Sequence, residues 1–243
     1  MRADKVIQVR DLVKKFGRFI ANDHLSFDVH RGEIFGFLGA NGAGKTTAIR
    51  ILCGLSRPTS GEVIIAGYDV YSQTEKIKKH IGYMSQKFSL YEDMTVVENI
   101  QFYGGIYGVS KSEIARRTDE LLLKLNFSDY RKRIIGDLPL GMRQKLAFSI
   151  AVFHEPEIVF LDEPTGGVDP ITRRQFWEMI YGAAASGITV FVTTHYMDEA
   201  EYCDRVSIMD EGKIVALDTP ARLKSEYKAS SIEELFIKIA RPS

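Results

Sequence analysis

A glycine-rich stretch near the start of the chain has the residue types and the spacing that bind a phosphate chain. Residues 39–47 read GANGAGKTT, which fits the Walker A pattern G-x-x-x-x-G-K-[ST]. Its glycines let the backbone curl, so that successive N–H groups point at phosphate oxygens. Lys45 is expected to reach the β- and γ-phosphates, and the Thr46 hydroxyl to ligate Mg²⁺. The predicted nucleotide-contacting residues are Gly39, Ala40, Asn41, Gly42, Ala43, Gly44, Lys45, Thr46 and Thr47.

An acidic pair follows an apolar run in the second half of the chain. Residues 158–161 read IVFL and predict a buried strand, which would deliver Asp162 to its C-terminal end as a direct or water-mediated ligand of Mg²⁺. Glu163 lies one residue further on and points differently, so it can orient or deprotonate an attacking water. Two acidic residues can also simply end a strand. The glycine loop upstream favours the catalytic interpretation, a Walker B element.

The elements that must position these residues alternate between strands and helices. An apolar strand is predicted at residues 34–38, directly before the glycine loop, and a helix at 45–52 directly after it. Further strands are predicted at residues 5–10, 25–29, 62–66, 81–84, 158–161, 188–193, 205–209 and 213–217, and helices at 172–184 and 231–240. This alternation predicts a mainly parallel sheet covered on both faces, preceded by an antiparallel β part.

Between residues 88 and 155 the pattern changes from strands to helices. Apolar residues fall at helical spacing around residues 96–107, 114–125 and 146–152. We therefore predict one domain over residues 1–243, in which an α/β nucleotide-binding core (1–87 and 156–243) carries an inserted helical subdomain (88–155).

Composition narrows the function classes. Of 243 residues, 32 are Lys or Arg and 32 are Asp or Glu, so no net charge favours binding to nucleic acid. No apolar stretch approaches the ~20 residues that cross a bilayer, and no secretory leader opens the chain. Cys53 and Cys203 lie far apart in the sequence, unlike a disulfide framework or a zinc site. These features predict a cytoplasmic protein.

Six motifs in order make the chain resemble ABC-type ATPases. They are the Walker A loop, Gln86 after a short strand, LPLGMRQ at 138–144, the Walker B strand with Glu163, GVD at 167–169, and His195 after a strand. The resemblance covers about residues 4–220. It implies an α/β P-loop NTPase (RecA-like) fold, ATP and Mg²⁺ as cofactors, and ATP hydrolysis that powers transport.

The same resemblance implies roles for residues that spacing alone would not single out. Gln86 would touch Mg²⁺ and the attacking water, and His195 would contact the γ-phosphate and steady the catalytic acidic residue. Phe16 would stack on adenine, with Phe19 as the nearby competitor. A stacked base is worth roughly 1–3 kcal/mol.

The segment 138–142 departs from the usual family signature Leu-Ser-Gly-Gly-Gln, whose serine bonds the γ-phosphate of a partner's ATP. Here Pro139 offers neither a hydroxyl nor a backbone N–H. The Gly141 amide, the helix N-terminus and Arg143 nearby remain to face that nucleotide. Two interpretations stay open: a homodimer with two weakened sites, or an asymmetric pair with a second ATPase subunit whose signature is intact.

Three function classes compete. The leading hypothesis is an energy-coupling subunit, peripheral on the inner face of the cell membrane, that drives integral membrane permease subunits. The stretches LYEDMTVVEN (90–99) and SIEELF (231–236) resemble exporter subunits of this kind, and residues 88–95 would help form the permease groove. A soluble ABC-type machine acting on ribosomes or DNA is the alternative. A GTPase is disfavoured because residues 126–129, NFSD, lack the lysine of Asn-Lys-x-Asp.

Overall fold

Two β-sheets organise the chain in a computed structural model, which describes residues 4–86 and 90–240. The strands are β1 (Lys5–Phe16), β2 (Phe19–His30), β3 (Ile34–Gly39), β4 (Ser60–Ile65), β5 (Tyr68–Asp69), β6 (Ile81–Met84), β7 (Ile158–Asp162), β8 (Thr189–Thr194), β9 (Arg205–Asp210) and β10 (Lys213–Asp218). The α-helices are α1 (Lys45–Leu52), α2 (Thr74–His80), α3 (Val96–Ile106), α4 (Lys111–Leu125), α5 (Leu140–Ala151), α6 (Pro170–Ala185), α7 (Pro220–Glu226) and α8 (Ile232–Ala240). Short 3-10 helices span Ser128–Tyr130, Ile135–Asp137 and Met197–Tyr202.

The larger sheet has the strand order β10-β9-β3-β8-β7-β6, and its pairs are parallel except for β9 with β10. Every residue of β3, β7 and β8 is buried, as expected for parallel strands covered on both faces. Parallel strands end at one edge of the sheet, so the loop after β3, Asp162 at the end of β7 and the segment after β8 share that edge.

The smaller sheet, β2-β1-β4-β5, is antiparallel and packs on the larger one through aromatic rings. The Phe27 ring of β2 lies 5.7 Å from Phe35, 5.5 Å from Phe37 and 6.2 Å from Phe191, measured between ring centroids. Each buried aromatic ring removes about 150–250 Å² from water. This cluster therefore holds β3, and the loop that follows it, against the smaller sheet.

Helices α3, α4 and α5 form the predicted insertion, which packs on the other side of the core. A capping box starts α3: the Thr95 hydroxyl accepts from the Glu98 amide, and the Glu98 carboxylate accepts from the Thr95 amide. Gly104 allows close approach to α4, because a Cβ there would lie 2.9 Å from Ile114 Cγ1. The architecture confirms the predicted α/β core with an antiparallel β part and a helical insertion. The exact domain limits stay a prediction, and residues 87–89 lie outside the described residues.

Several elements differ from the sequence-based expectations. β1 runs on to Phe16 and β2 starts at Phe19, beyond the predicted strands, because register shifts interrupt the alternation that marks a strand. The prediction assigned no element to α2 or α7. In α2 only Ile77 is buried, so its sequence lacks the apolar stripe from which a helix is predicted. In α7 the capping residue Thr219 and the following proline are typical of a helix N-terminus and could have predicted this helix.

Each helix within the described ranges is too short or too polar to cross a lipid bilayer.

Candidate functional site

The glycine loop joins β3 to α1 at the shared edge of the larger sheet. Gly44 precedes α1 with φ of 100°, and a Cβ there would lie 2.2 Å from the Ala21 carbonyl oxygen, so only glycine fits. Lys45 is buried and bends back over the loop, where its Nζ donates to the carbonyls of Gly39 at 2.8 Å and Ala40 at 3.1 Å. The loop thus presents amides and one ammonium group to the same space, which is the geometry of a phosphate site.

Asp162 ends β7 as a buried carboxylate beside this loop. Its Oδ1 accepts from the Thr193 hydroxyl at 2.8 Å and from the Thr46 hydroxyl at 3.3 Å. Burial raises the pKa of the Asp162 carboxyl above its ordinary value, while the two hydroxyl groups act in the opposite direction. Thr193 was not among the predicted site residues. The pairing of Asp162 with Thr193 across β7 and β8 brings it there, and its place two residues before His195 was the available signal.

The three residues predicted to be catalytic meet at the Glu163 carboxylate. Its Oε2 accepts from Gln86 Nε2 at 2.9 Å and lies 3.0 Å from His195 Nδ1, while its Oε1 lies 3.3 Å from Lys45 Nζ. Glu163 has φ of 49°, in the left-handed region, and its amide donates to both oxygens of Thr193. This backbone turn directs the Glu163 side chain towards the loop.

The side chains and backbone amides at this edge of the sheet fit the predicted ligands, a nucleotide and Mg²⁺. A pocket of about 410 Å³ is lined by the glycine loop together with Phe19, Ala21, Gln86 and Glu163. Amide N–H groups and an ammonium suit phosphate oxygens, and a hydroxyl, a carboxylate and an amide oxygen suit the hard cation Mg²⁺. The arrangement can therefore hold a magnesium–nucleotide and activate a water beside it.

Phe16 and Phe19 face each other across the turn between β1 and β2. Both rings are largely exposed, at 55% and 64%. Phe19 lines the loop pocket, whereas Phe16 does not, and Lys14 Nζ lies 4.9 Å from the Phe16 ring centroid. The adenine-stacking role of Phe16 stays a prediction.

The signature segment starts α5 with Pro139 as the N-cap residue, which makes no side-chain capping bond. Gly141 lets α5 approach α6, because a Cβ there would lie 2.6 Å from Thr172 Cγ2. Arg143 Nη1 lies 3.2 Å from Glu92 Oε1. The predicted contact of Gly141 with a partner's nucleotide is untested by these intrachain contacts.

The loop, the acidic pair and the fold all have counterparts in known proteins. A family model described as ABC transporter matches residues 22–166. The probable multidrug ABC transporter ATP-binding protein YbhF of Escherichia coli (strain K12) is 46% identical over 245 residues, which cover 97% of this chain and 42% of that protein. This chain therefore spans less than half of YbhF.

A second relative has a length closer to that of this chain. The linearmycin resistance ATP-binding protein LnrL of Bacillus subtilis (strain 168) is 35% identical over 96% of this chain and 75% of its own length. Among solved structures, one described as the structure of an ATP binding subunit of an ABC transporter superposes with a TM-score of 0.88 and 28% identity. That superposition covers 97% of this chain and 100% of the other.

Proposed function

Because the chain belongs to the ABC transporter family, we propose that it is an ATP-binding and ATP-hydrolysing subunit that powers export through a separate membrane permease. The observation that carries this proposal is the meeting of Lys45, Gln86 and His195 on one carboxylate, that of Glu163. The names of the relatives, which refer to multidrug transport and to linearmycin resistance, support export as the direction.

In the proposed mechanism the loop amides and Lys45 hold the β- and γ-phosphates, and Thr46 and Asp162 hold Mg²⁺. Bound Mg²⁺ supplies neutralisation of the charge on the phosphate oxygens. Gln86 orients a water beside the γ-phosphate, and Glu163 accepts its proton as the water oxygen attacks phosphorus. His195 keeps the Glu163 carboxylate in place. The bond from γ-phosphorus to the bridging oxygen breaks, which gives ADP and phosphate.

We further propose that the site is completed by a second ATPase subunit, whose signature helix covers the nucleotide. The N-terminus of α5 would do the same for the nucleotide of the partner, through the Gly141 amide and the helix dipole. The absent hydroxyl at Pro139 weakens that contact by the worth of one charge-assisted hydrogen bond, about 1.5–3 kcal/mol. For this reason the proposed assembly is an asymmetric pair and not a homodimer.

A groove of about 590 Å³ between α2 and α3 is the proposed permease-docking surface. Leu55 and Ile106 line it and are largely exposed, at 49% and 61%. The apolar surface continues along α3 to Phe102. The Phe102 ring packs edge-on against the Tyr91 ring, with 4.9 Å between the ring centroids. Of the predicted groove segment 88–95, residues 88 and 89 lie outside the described residues, and residues 90–95 do not line this cavity.

Motion in this groove would reach the catalytic residues through a short segment of chain. Tyr83 of β6 lines it, and Gln86 follows three residues later at the mouth of the loop pocket. A helix of the permease in the groove would therefore hold the chain on the inner face of the membrane and move the loop that carries Gln86.

The test starts with the purified chain. We expect it to hydrolyse ATP in the presence of Mg²⁺, and Lys45→Ala to abolish tight ATP binding because the phosphates lose their ammonium partner. Isothermal titration with ATP measures the affinity. Unchanged affinity in Lys45→Ala would overturn the assignment of the phosphate site.

Association with a membrane permease is tested with protein extracted from cells. An affinity-tagged chain should co-purify with integral membrane proteins from detergent extracts, and Ile106→Asp in the groove should abolish this while leaving ATP affinity unchanged. A chain that instead binds RNA or DNA in a salt-sensitive manner would support the soluble alternative.

A further inference from the structure

We propose that Glu199 is a positioning residue for ATP hydrolysis, because its buried carboxylate ties the segment that carries His195 to the segment that carries Glu163. The inference rests on the proposed function. Glu199 lies in the 3-10 helix Met197–Tyr202, four residues after His195, and is 0% exposed. None of the motifs that carry the family resemblance includes it.

The first link is a short hydrogen bond. The Thr165 hydroxyl donates to Glu199 Oε1 at 2.6 Å. Thr165 is 1% exposed and lies two residues after Glu163, in the loop between β7 and α6. The bond thus joins the two segments that follow β7 and β8, at the edge of the sheet where Glu163 and His195 meet.

The second link runs through Arg173 of α6. Its Nε lies 3.8 Å from Glu199 Oε1, and its guanidinium carbon lies 4.2 Å from the Tyr196 ring centroid. The Tyr196 ring in turn lies 4.2 Å from the His195 ring. Arg173 therefore packs on the Tyr196 ring, which is adjacent to His195. The positive charge of Arg173 is balanced by Glu199, and by Asp198 at 3.4 Å.

Stability alone accounts poorly for a carboxylate at this place. Burying a charge is costly, and an uncharged side chain of similar size would avoid that cost. Within the described residues, Glu199 Oε2 accepts no hydrogen bond and the single nearby guanidinium is 3.8 Å from Oε1. What the carboxylate does provide is a directed contact between two segments that each hold one member of the Glu163–His195 pair.

The links predict a specific effect on catalysis. If the Glu199 bond is lost, the segment after β8 can shift, and the His195 ring then loses its alignment with Glu163. Turnover should fall while nucleotide binding, which depends on the glycine loop, stays intact. A role confined to folding would lower the amount of active protein and leave the two kinetic constants of the remainder unchanged.

The experiment uses two substitutions at Thr165, which spare the buried charge. Thr165→Val removes the hydroxyl at nearly constant shape, and Thr165→Ser keeps it. We expect Thr165→Val to lower kcat by about 10- to 100-fold, the usual loss when a partner that orients a catalytic group is removed. The KM for ATP should change by less than about threefold, and Thr165→Ser should restore kcat to within about threefold of the wild-type value.

A double variant tests whether the effect passes through His195. In a His195→Ala background, Thr165→Val should lower kcat by less than about twofold further, because coupled residues are not additive. Glu201→Gln is the matched control: Glu201 lies in the same 3-10 helix but pairs at the surface with Lys224 at 2.7 Å, so kcat should be unchanged.

A measurement without turnover separates this inference from the proposed function. In nucleotide-free protein with ¹⁵N-labelled histidine, Thr165→Val should move the ring resonances of His195 and leave those of His24, His30 and His80 in place. Wild-type kcat in Thr165→Val, or an equal loss in the His195→Ala background, would overturn the positioning role. A wild-type chain that fails to bind ATP with Mg²⁺ would overturn the proposed function instead, and the His195 resonances would still decide the inference.

Discussion

The Glu163 carboxylate contacts a lysine, a glutamine and a histidine that come from three separate parts of the chain. Lys45 follows the glycine loop, Gln86 follows β6, and His195 follows β8. At the scale of single residues, the proposed chemistry therefore depends on one side chain whose position is set by three others.

Glu163→Gln should lower ATP turnover by about 10²–10⁴-fold, because an amide keeps the shape but cannot accept the proton of the attacking water. ATP affinity should be retained, since the loop amides and Lys45 are unchanged. Single-turnover hydrolysis and equilibrium ATP binding, measured on one preparation, separate the two effects. Wild-type turnover in this variant would remove Glu163 from the mechanism.

Phe16→Ala should weaken ATP binding by about 5- to 150-fold, the equivalent of 1–3 kcal/mol for a stacked base. Phe19→Ala is the matched variant, because the two rings face each other across one turn. Binding of inorganic triphosphate, which has no base, should be the same in both variants and the wild type. A larger loss of ATP affinity in Phe19→Ala would transfer the stacking role to Phe19.

At the scale of elements, α5 stands out because it starts with a proline where the family has a serine. Pro139 makes no side-chain capping bond, and Gly141 and Gln144 bind α5 to neighbouring segments: Gly141 contacts α6, and Gln144 Nε2 donates to the Gly166 carbonyl at 3.0 Å. The helix is thus held from within the chain, while its N-terminal hydroxyl is missing. The signature helix and the loop before α6 are expected to move together.

Pro139→Ser should raise the ATPase rate of the isolated chain by about 10- to 150-fold, because one charge-assisted hydrogen bond to the partner's nucleotide is worth about 1.5–3 kcal/mol. Steady-state turnover at saturating ATP and high protein concentration measures this. Full and cooperative activity of the unmodified chain, with no change in Pro139→Ser, would count against the asymmetric pair.

The contact of the helical insertion with the sheet should depend on pH through His154. Its Nε2 lies 3.1 Å from the Ile81 carbonyl oxygen, its ring stacks on Tyr107 at 3.7 Å, and burial lowers its pKa to about 4. A histidine whose pKa is lower in the folded than in the unfolded state stabilises fully above the unfolded value of about 6.5. That contribution is lost as pH falls from about 6.5 towards 4.

Denaturant unfolding of the wild type and of His154→Gln, in which an amide N–H replaces the ring N–H donor, checks this prediction. Between pH 7.5 and pH 5 the wild type should lose about 1–2 kcal/mol more unfolding free energy than the variant, after allowance for partial exposure of the ring. Parallel curves for the two proteins over that range would contradict it.

For the complete assembly, the proposed mechanism needs two subunits, because in it the Gly141 end of α5 would serve the nucleotide of a partner. Turnover per chain should therefore rise with protein concentration. Glu163→Gln with ATP should accumulate the closed dimer, since the hydrolysis that reopens it is blocked. Sedimentation velocity with and without ATP measures this association. A monomer with a constant turnover at every dilution would contradict the mechanism.

Much of the site could be predicted from the sequence because its motifs are local. A strand, a loop and a helix follow one another in residues 34–52 and have one compact arrangement. The spacing of Gly39, Lys45 and Thr46 therefore predicts the geometry of the phosphate site. Asp162 and Glu163 can likewise be predicted as site residues, because they come at the end of one apolar strand. The fold class and the family, both confirmed, follow from these motifs and from the alternation of elements.

Contacts between segments that lie far apart in the sequence depend on how the whole chain packs. Asp162 meets Thr193, and Thr165 meets Glu199, because β7 and β8 are parallel neighbours in register, which no local pattern states. Sheet order depends on which apolar faces bury best together, a property of the whole chain. Local motifs therefore predicted which groups bind and cleave a nucleotide, and the packing of distant segments decided which side chains contact those groups.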